Sequence, residues 1–208
     1  MRVCLCLCLS ALPHRNTKVC WHTHKRTRTN AQVDPPALRV LAFEPIAHTH
    51  RILRANLGLN ALEHRVATFP VALSNRSHKA IMCNMGQAGA SGMSRLGHDS
   101  PGPAADAAGS SWGECDLPEE VQLETLDGIC EREGVDRVHF LKVDAEGSEL
   151  SVLEGARGII ERDKPEIWVE VPPEEGAAGP LSQFLHSLGY LPGERVYSSA
   201  NLLFVPRA

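Results

Sequence analysis

From Leu38 onward the chain alternates between short apolar runs and stretches whose apolar residues recur at helical spacing. Leu38–Phe43 is an apolar run closed by Glu44-Pro45, the pattern of a buried parallel strand. Ile52, Leu53, Leu57 and Leu59 then predict a helix over residues 46–60, with Asn60 as its stop. Residues 66–73 read as the next strand and 80–83 as a further short one. Regular pattern returns with a strand at 121–123 and a helix at 125–133 that Thr125 can cap. Val138–Val143 is the clearest strand of all, and Leu150, Leu153, Ala156, Ile159 and Ile160 form the apolar stripe of the helix after it. Pro165 closes that helix, Pro172-Pro173 stops a strand at 167–171, and Gly189 ends a helix at 181–188. Residues 196–197 and 202–205 suggest a closing antiparallel hairpin. Strands alternating with helices predict an α/β fold: a doubly wound, mostly parallel sheet of Rossmann-like form.

Two stretches break this rhythm. Residues 84–118 are rich in Gly, Ala, Ser and Pro and have no apolar period, so they are expected to form a long loop of the functional or disordered kind. Residues 1–36 are low in complexity, with Cys and Leu alternating from Cys4 to Leu9. That alternation admits a strand, and Cys20, His22 and His24 admit a metal set. Their spacing, however, matches no paired C-x-x-C zinc pattern, and a translated nucleotide repeat would alternate in the same way. The preferred reading is a disordered leader over 1–36 that holds no metal, followed by one domain over 37–208.

Composition narrows the class. A chain of 208 residues suffices for a single α/β domain, and 43% hydrophobic with 22% charged residues is ordinary for a globular protein. The formal charge of −4 argues against general nucleic-acid binding, and no run approaches the roughly 20 apolar residues of a membrane span. No acid precedes Asp34, whereas Arg2, Arg15, Lys18, Lys25, Arg26 and Arg28 are basic, so a transit peptide is one alternative for this stretch. Residues 3–12 resemble a short signal-peptide core, although Pro13-His14-Arg15 makes a poor cleavage site. The seven cysteines are not spaced as a disulfide framework, so a reducing cytoplasmic compartment is the default.

In a sheet of this kind ligands sit beyond the carboxyl ends of strands, where strand order reverses. Glu44 ends one strand, where a carboxylate can accept both hydroxyl protons of a ribose. Asp144 ends another, close to where a reacting group would lie. Taken singly, each is as readily a solvated loop acid or a helix-start charge.

The words around them form a larger pattern. Phe43-Glu44-Pro45, Asn56-Leu57-Gly58-Leu59-Asn60 and Val71-Ala72-Leu73-Ser74 resemble the first half of FkbM methyltransferases. Thr125-Leu126-Asp127, the run from Phe140 through Asp144-Ala145-Glu146-Gly147-Ser148-Glu149, and Leu153-Glu154-Gly155-Ala156 resemble the second half, which Pro165 and residues 167–170 complete. The resemblance implies S-adenosylmethionine as donor and O-methylation of a hydroxyl on a sugar, glycan or other small molecule. Glu44, with Pro45 beside it, would hold the ribose, and Ala72 with Leu73 would flank the adenine. Asp144 and Glu146 would stand at the transfer site, with Asp144 as the base that removes the hydroxyl proton. Lys142 is expected to point away from that end as a structural lysine, and Glu149 to pair with Lys142 or Arg157.

The start of the chain departs from the family pattern. Members begin with a strand and a turn of the D-x-G-A-N-x-G sort, yet no glycine precedes Gly58 here. The expected domain is therefore truncated, without its first strand or the glycine turn. The alternative function is a catalytically inactive methyltransferase-like binding module.

Overall fold

The computed structural model describes residues 2–7, 38–84, 94–96, 118–171, 179–195 and 201–207. The elements begin with strand β1 (Arg2–Leu7), β2 (Leu38–Phe43), helix α1 (Ala47–Leu59), β3 (Val66–Phe69), β4 (Ala72–Leu73), β5 (His78–Asn84) and β6 (Ser94–Leu96). They continue with β7 (Pro118–Glu124), α2 (Leu126–Arg132), β8 (Val138–Val143), α3 (Glu149–Glu154), α4 (Arg157–Asp163), β9 (Glu166–Glu170), α5 (Pro180–Ser187), β10 (Glu194–Arg195) and β11 (Asn201–Phe204).

The main sheet runs β10-β11-β9-β8-β1-β2-β3. Its strands from β3 to β9 pair in parallel, whereas β11 and β10 join antiparallel. A second sheet, β4-β7-β5-β6, is mostly antiparallel. The α/β class thus holds, but both sheets are mixed, and the second one corrects the expectation of a single mostly parallel sheet. Strand order reverses at β1, whose neighbours are β2 and β8.

That central position corrects the reading of the leader. Strand β1, which takes in the first part of the Cys-Leu alternation, supplies the first strand that the sequence was expected to lack. Within it Val3–Leu7 is apolar at every position, the composition of an interior parallel strand. The Cys20, His22 and His24 group and most of residues 84–118 lie outside the described residues, as do Val196 and Tyr197. The closing hairpin uses Glu194–Arg195 against Asn201–Phe204 instead.

Strand alternation sorts the sheet into two faces. Leu41, Phe43, Leu141, Val143, Ile167 and Val169 fall on one face, each exposed by 1% or less, and residues of α2 to α5 close over them as the main core. Val40, Ala42, Lys142 and Trp168 fall on the other and are half-buried. Helix α1 buries none of its residues, so among the described residues one face is packed more deeply than the other.

Two expected elements are each divided. The strand at 66–73 splits at Pro70 into β3 in the main sheet and β4 in the second. The helix after β8 splits into α3 and α4 around Gly155. A Cβ on Gly155 would fall inside the contact distance of the Ser74 carbonyl oxygen. Only glycine lets the two backbones approach so closely.

Candidate functional site

Register brings the two acids to the same end of the sheet. Leu7 pairs with Phe43 and Cys6 with Lys142, so Glu44 and Asp144 flank the carboxyl end of β1 from either side. Two strand spacings set them about 10 Å apart. Glu44 is 3% exposed, its Oε1 accepts from the Ile46 backbone N–H at 2.9 Å, and its own N–H donates to the Phe69 carbonyl at 3.0 Å. Pro45 is buried beside it. Ala72 and Leu73 are also buried, Ala72 within the second core beside Ile46, Met82, Val121 and Leu123, and Leu73 within the main one. Their packing leaves backbone, rather than side chain, as what β4 can offer a ligand.

Asp144 opens a tight loop after β8. Glu146 adopts φ 47° and Gly147 φ 97°. The first is uncommon for a residue with a side chain, and such positions concentrate at functional sites. The loop is braced by Glu149, the first residue of α3, which is buried and accepts from the Ala145 N–H at 2.9 Å and the Gly147 N–H at 3.1 Å. This corrects the expected pairing of Glu149 with Lys142 or Arg157. Lys142 is corrected as well: its Nζ donates to Asp144 Oδ2 at 2.7 Å. Residues two apart on a strand share a face, so alternation places Lys142 beside Asp144 rather than away from it.

Glu170 is the residue sequence reading passed over. It ends β9 one strand further on, and since Val143 pairs with Val169, it lies level with Asp144. Burial pushes its carboxyl up to about 7, helped by its hydrogen bond to Asp144 and by the charges of Asp144, Glu146 and Glu149. Sequence placed it inside a strand at 167–171, so nothing marked it as a strand end, where β9 in fact stops.

The remaining sequence words have structural duties. Thr125 caps α2 by accepting from the Gly128 N–H at 3.2 Å. Asp127 accepts from Gly158 and Ile159 N–H at 2.8 and 2.9 Å and so caps α4 from a different helix. Asp127→Ala is expected to cost about 1–2 kcal/mol, read as a lower urea midpoint with an unchanged slope. An unchanged midpoint would show that solvent caps α4 equally well. A cleft of about 510 Å³ lies between α1 and the edge strand β3, lined by Arg51, Arg54, Glu63, Val66 and Thr68 among others. None of the acids discussed above at the ends of β2, β8 and β9 lines it. Among the described residues no helix is long and apolar enough to cross a membrane.

An α/β protein with carboxylates gathered at the strand ends on either side of its order reversal is the class defined so far. The chain belongs to the FkbM methyltransferase family: the model of the methyltransferase FkbM domain matches residues 28–192. It is similar to the crystal structure of a methyltransferase FkbM from Methylobacillus flagellatus KT, with 18% identity and a TM-score of 0.48 over 81% of this chain. The match covers 36% of that protein, so the present chain spans about a third of its length. No curated protein matches the chain.

Proposed function

We propose that the chain is an S-adenosylmethionine-dependent methyltransferase acting on a hydroxyl of a sugar, glycan or other small molecule, on a doubly wound Rossmann-like sheet. The observation that carries this reading is the placement of Glu44 and Asp144 on the two strands that flank β1, at the reversal of strand order. The order β3-β2-β1-β8-β9 supports this reading, because a reversal at β1 is where a doubly wound sheet would take its ligand.

The residues fit the nucleoside end of the donor. Glu44 is fixed by its own backbone contacts and presents a carboxylate to a ribose, and the β4 backbone at Ala72 and Leu73 can lie along an adenine. When bound, S-adenosylmethionine supplies an electrophilic methyl group on a sulfonium. Asp144 takes the proton of the acceptor hydroxyl, Lys142 holds that carboxylate in place, and Glu146 stands two residues on, at the acceptor side. The catalytic domain of this reading takes in β1 together with residues 37–208.

Incubation with methyl-labelled donor and a panel of methyl glycosides and glycans should place the label in a base-stable ether. Label recovered as a base-labile ester would contradict a hydroxyl acceptor. A second reading, a binding module without catalysis, is favoured by the lack of any glycine in residues 8–37, directly after β1. Glycine there would let backbone approach the methionine end of the donor. Saturable donor binding with no transfer to any acceptor would select it.

A further inference from the structure

Asp144 is held from two sides. On its own strand, Lys142 donates to Oδ2 at 2.7 Å. From β9, Glu170 is hydrogen-bonded to it across the parallel register. Two carboxylates cannot hydrogen-bond to one another, because each is acceptor-only; one of the pair must carry a proton. We propose that Glu170 is a positioning residue for Asp144: it holds a proton against the Asp144 carboxylate, so that Lys142 and Glu170 together fix Asp144 as an oriented anion. This rests on the reading of Asp144 as the base of the transfer site.

The surroundings decide which acid keeps the proton. Asp144 is the acid of the pair that has the Lys142 ammonium in contact, at 2.7 Å. The largest charge effects on Glu170 come from Asp144 after β8, Glu146 in the loop and Glu149 on α3, and all three are acidic. Its register neighbour on β11 is the uncharged Asn201. Burial and these like charges raise its carboxyl to about 7, in agreement with the geometry. The sign of the stability effect follows. The unfolded chain ionises Glu170 near 4.5 and the folded chain near 7, so this contribution is complete below 4.5 and is lost as pH rises through 7.

The test uses the full chain without donor or acceptor, so it succeeds or fails independently of methyl transfer. Carboxyl-carbon NMR of labelled glutamate, assigned with Glu170→Gln, should show Glu170 titrating near 7. Asp144→Asn should lower that value by about 1–2 units, because an amide removes the like charge. Thermal midpoints from pH 5 to 8 provide a second reading: the wild type should lose stability across this range, and Glu170→Gln, which keeps a neutral donor in place, should not. Titration of Glu170 at an ordinary glutamate value, or parallel pH profiles for wild type and Glu170→Gln, would overturn the proposal. Once an acceptor is found, the wild-type rate should decline above pH 7 and the Glu170→Gln rate should not. A rate that still declines in Glu170→Gln as in the wild type would count against it.

Discussion

Asp144→Asn is expected to slow methyl transfer by about a hundredfold or more, the usual contribution of a positioned base. The amide keeps the shape of the side chain and can still accept from Lys142 through its oxygen, so the loop should hold its form. What it cannot do is take a proton from the acceptor hydroxyl. The measurement is the initial rate of labelled methyl transfer at saturating donor, alongside the thermal midpoint. A normal rate in a folded Asp144→Asn protein would remove Asp144 from the chemistry and leave it as a structural partner of Lys142 and Glu170. A slow rate accompanied by a collapsed midpoint would instead assign it to structure.

Gly155→Ala is expected to produce the largest loss of stability. The new Cβ would press on the Ser74 carbonyl, which is backbone, and Ser74 is itself fixed by donating its N–H to the Glu124 carbonyl at 2.9 Å. Gly155 is equally constrained, since its carbonyl accepts from the Asp127 N–H at 3.0 Å. With neither backbone free to retreat, overpacking should cost about 3 kcal/mol, a fall in Tm of about 6–12 °C at this chain length. A calorimetric midpoint within a degree of wild type would show that the α3–α4 junction yields to the added methyl group.

The sheet was legible wherever a strand was an uninterrupted apolar run. Leu38–Phe43 and Val138–Val143 appear with the bounds read from sequence, and the acids that follow them lie at the strand ends where such a reading puts them. β1 was passed over because its apolar residues, Val3 to Leu7, sit in a stretch of low complexity, and their pairing with β2 and β8 is made across more than thirty residues of chain. The contact between Gly155 and Ser74 is likewise tertiary, so the division of one helix into α3 and α4 left no mark in the apolar stripe. Lys142 was legible in principle, since a period of two puts it on the same face as Asp144. Glu149 and Glu170 needed the loop geometry: one bonds backbone two and four residues away, and the other meets Asp144 only through strand register.

The central claim is that the donor nucleoside sits at the end of β2 with its ribose on Glu44. Calorimetric titration of S-adenosylmethionine into the wild type, Glu44→Ala and Glu63→Ala tests it most directly. Glu63 is an exposed acid in the turn after α1 and serves as a control of equal charge. The account predicts saturable binding to the wild type and to Glu63→Ala, with affinity for Glu44→Ala weaker by about 1.5–3 kcal/mol, the worth of a charge-assisted hydrogen bond. Equal affinities for the two variants, or no binding to any of the three proteins, would contradict it.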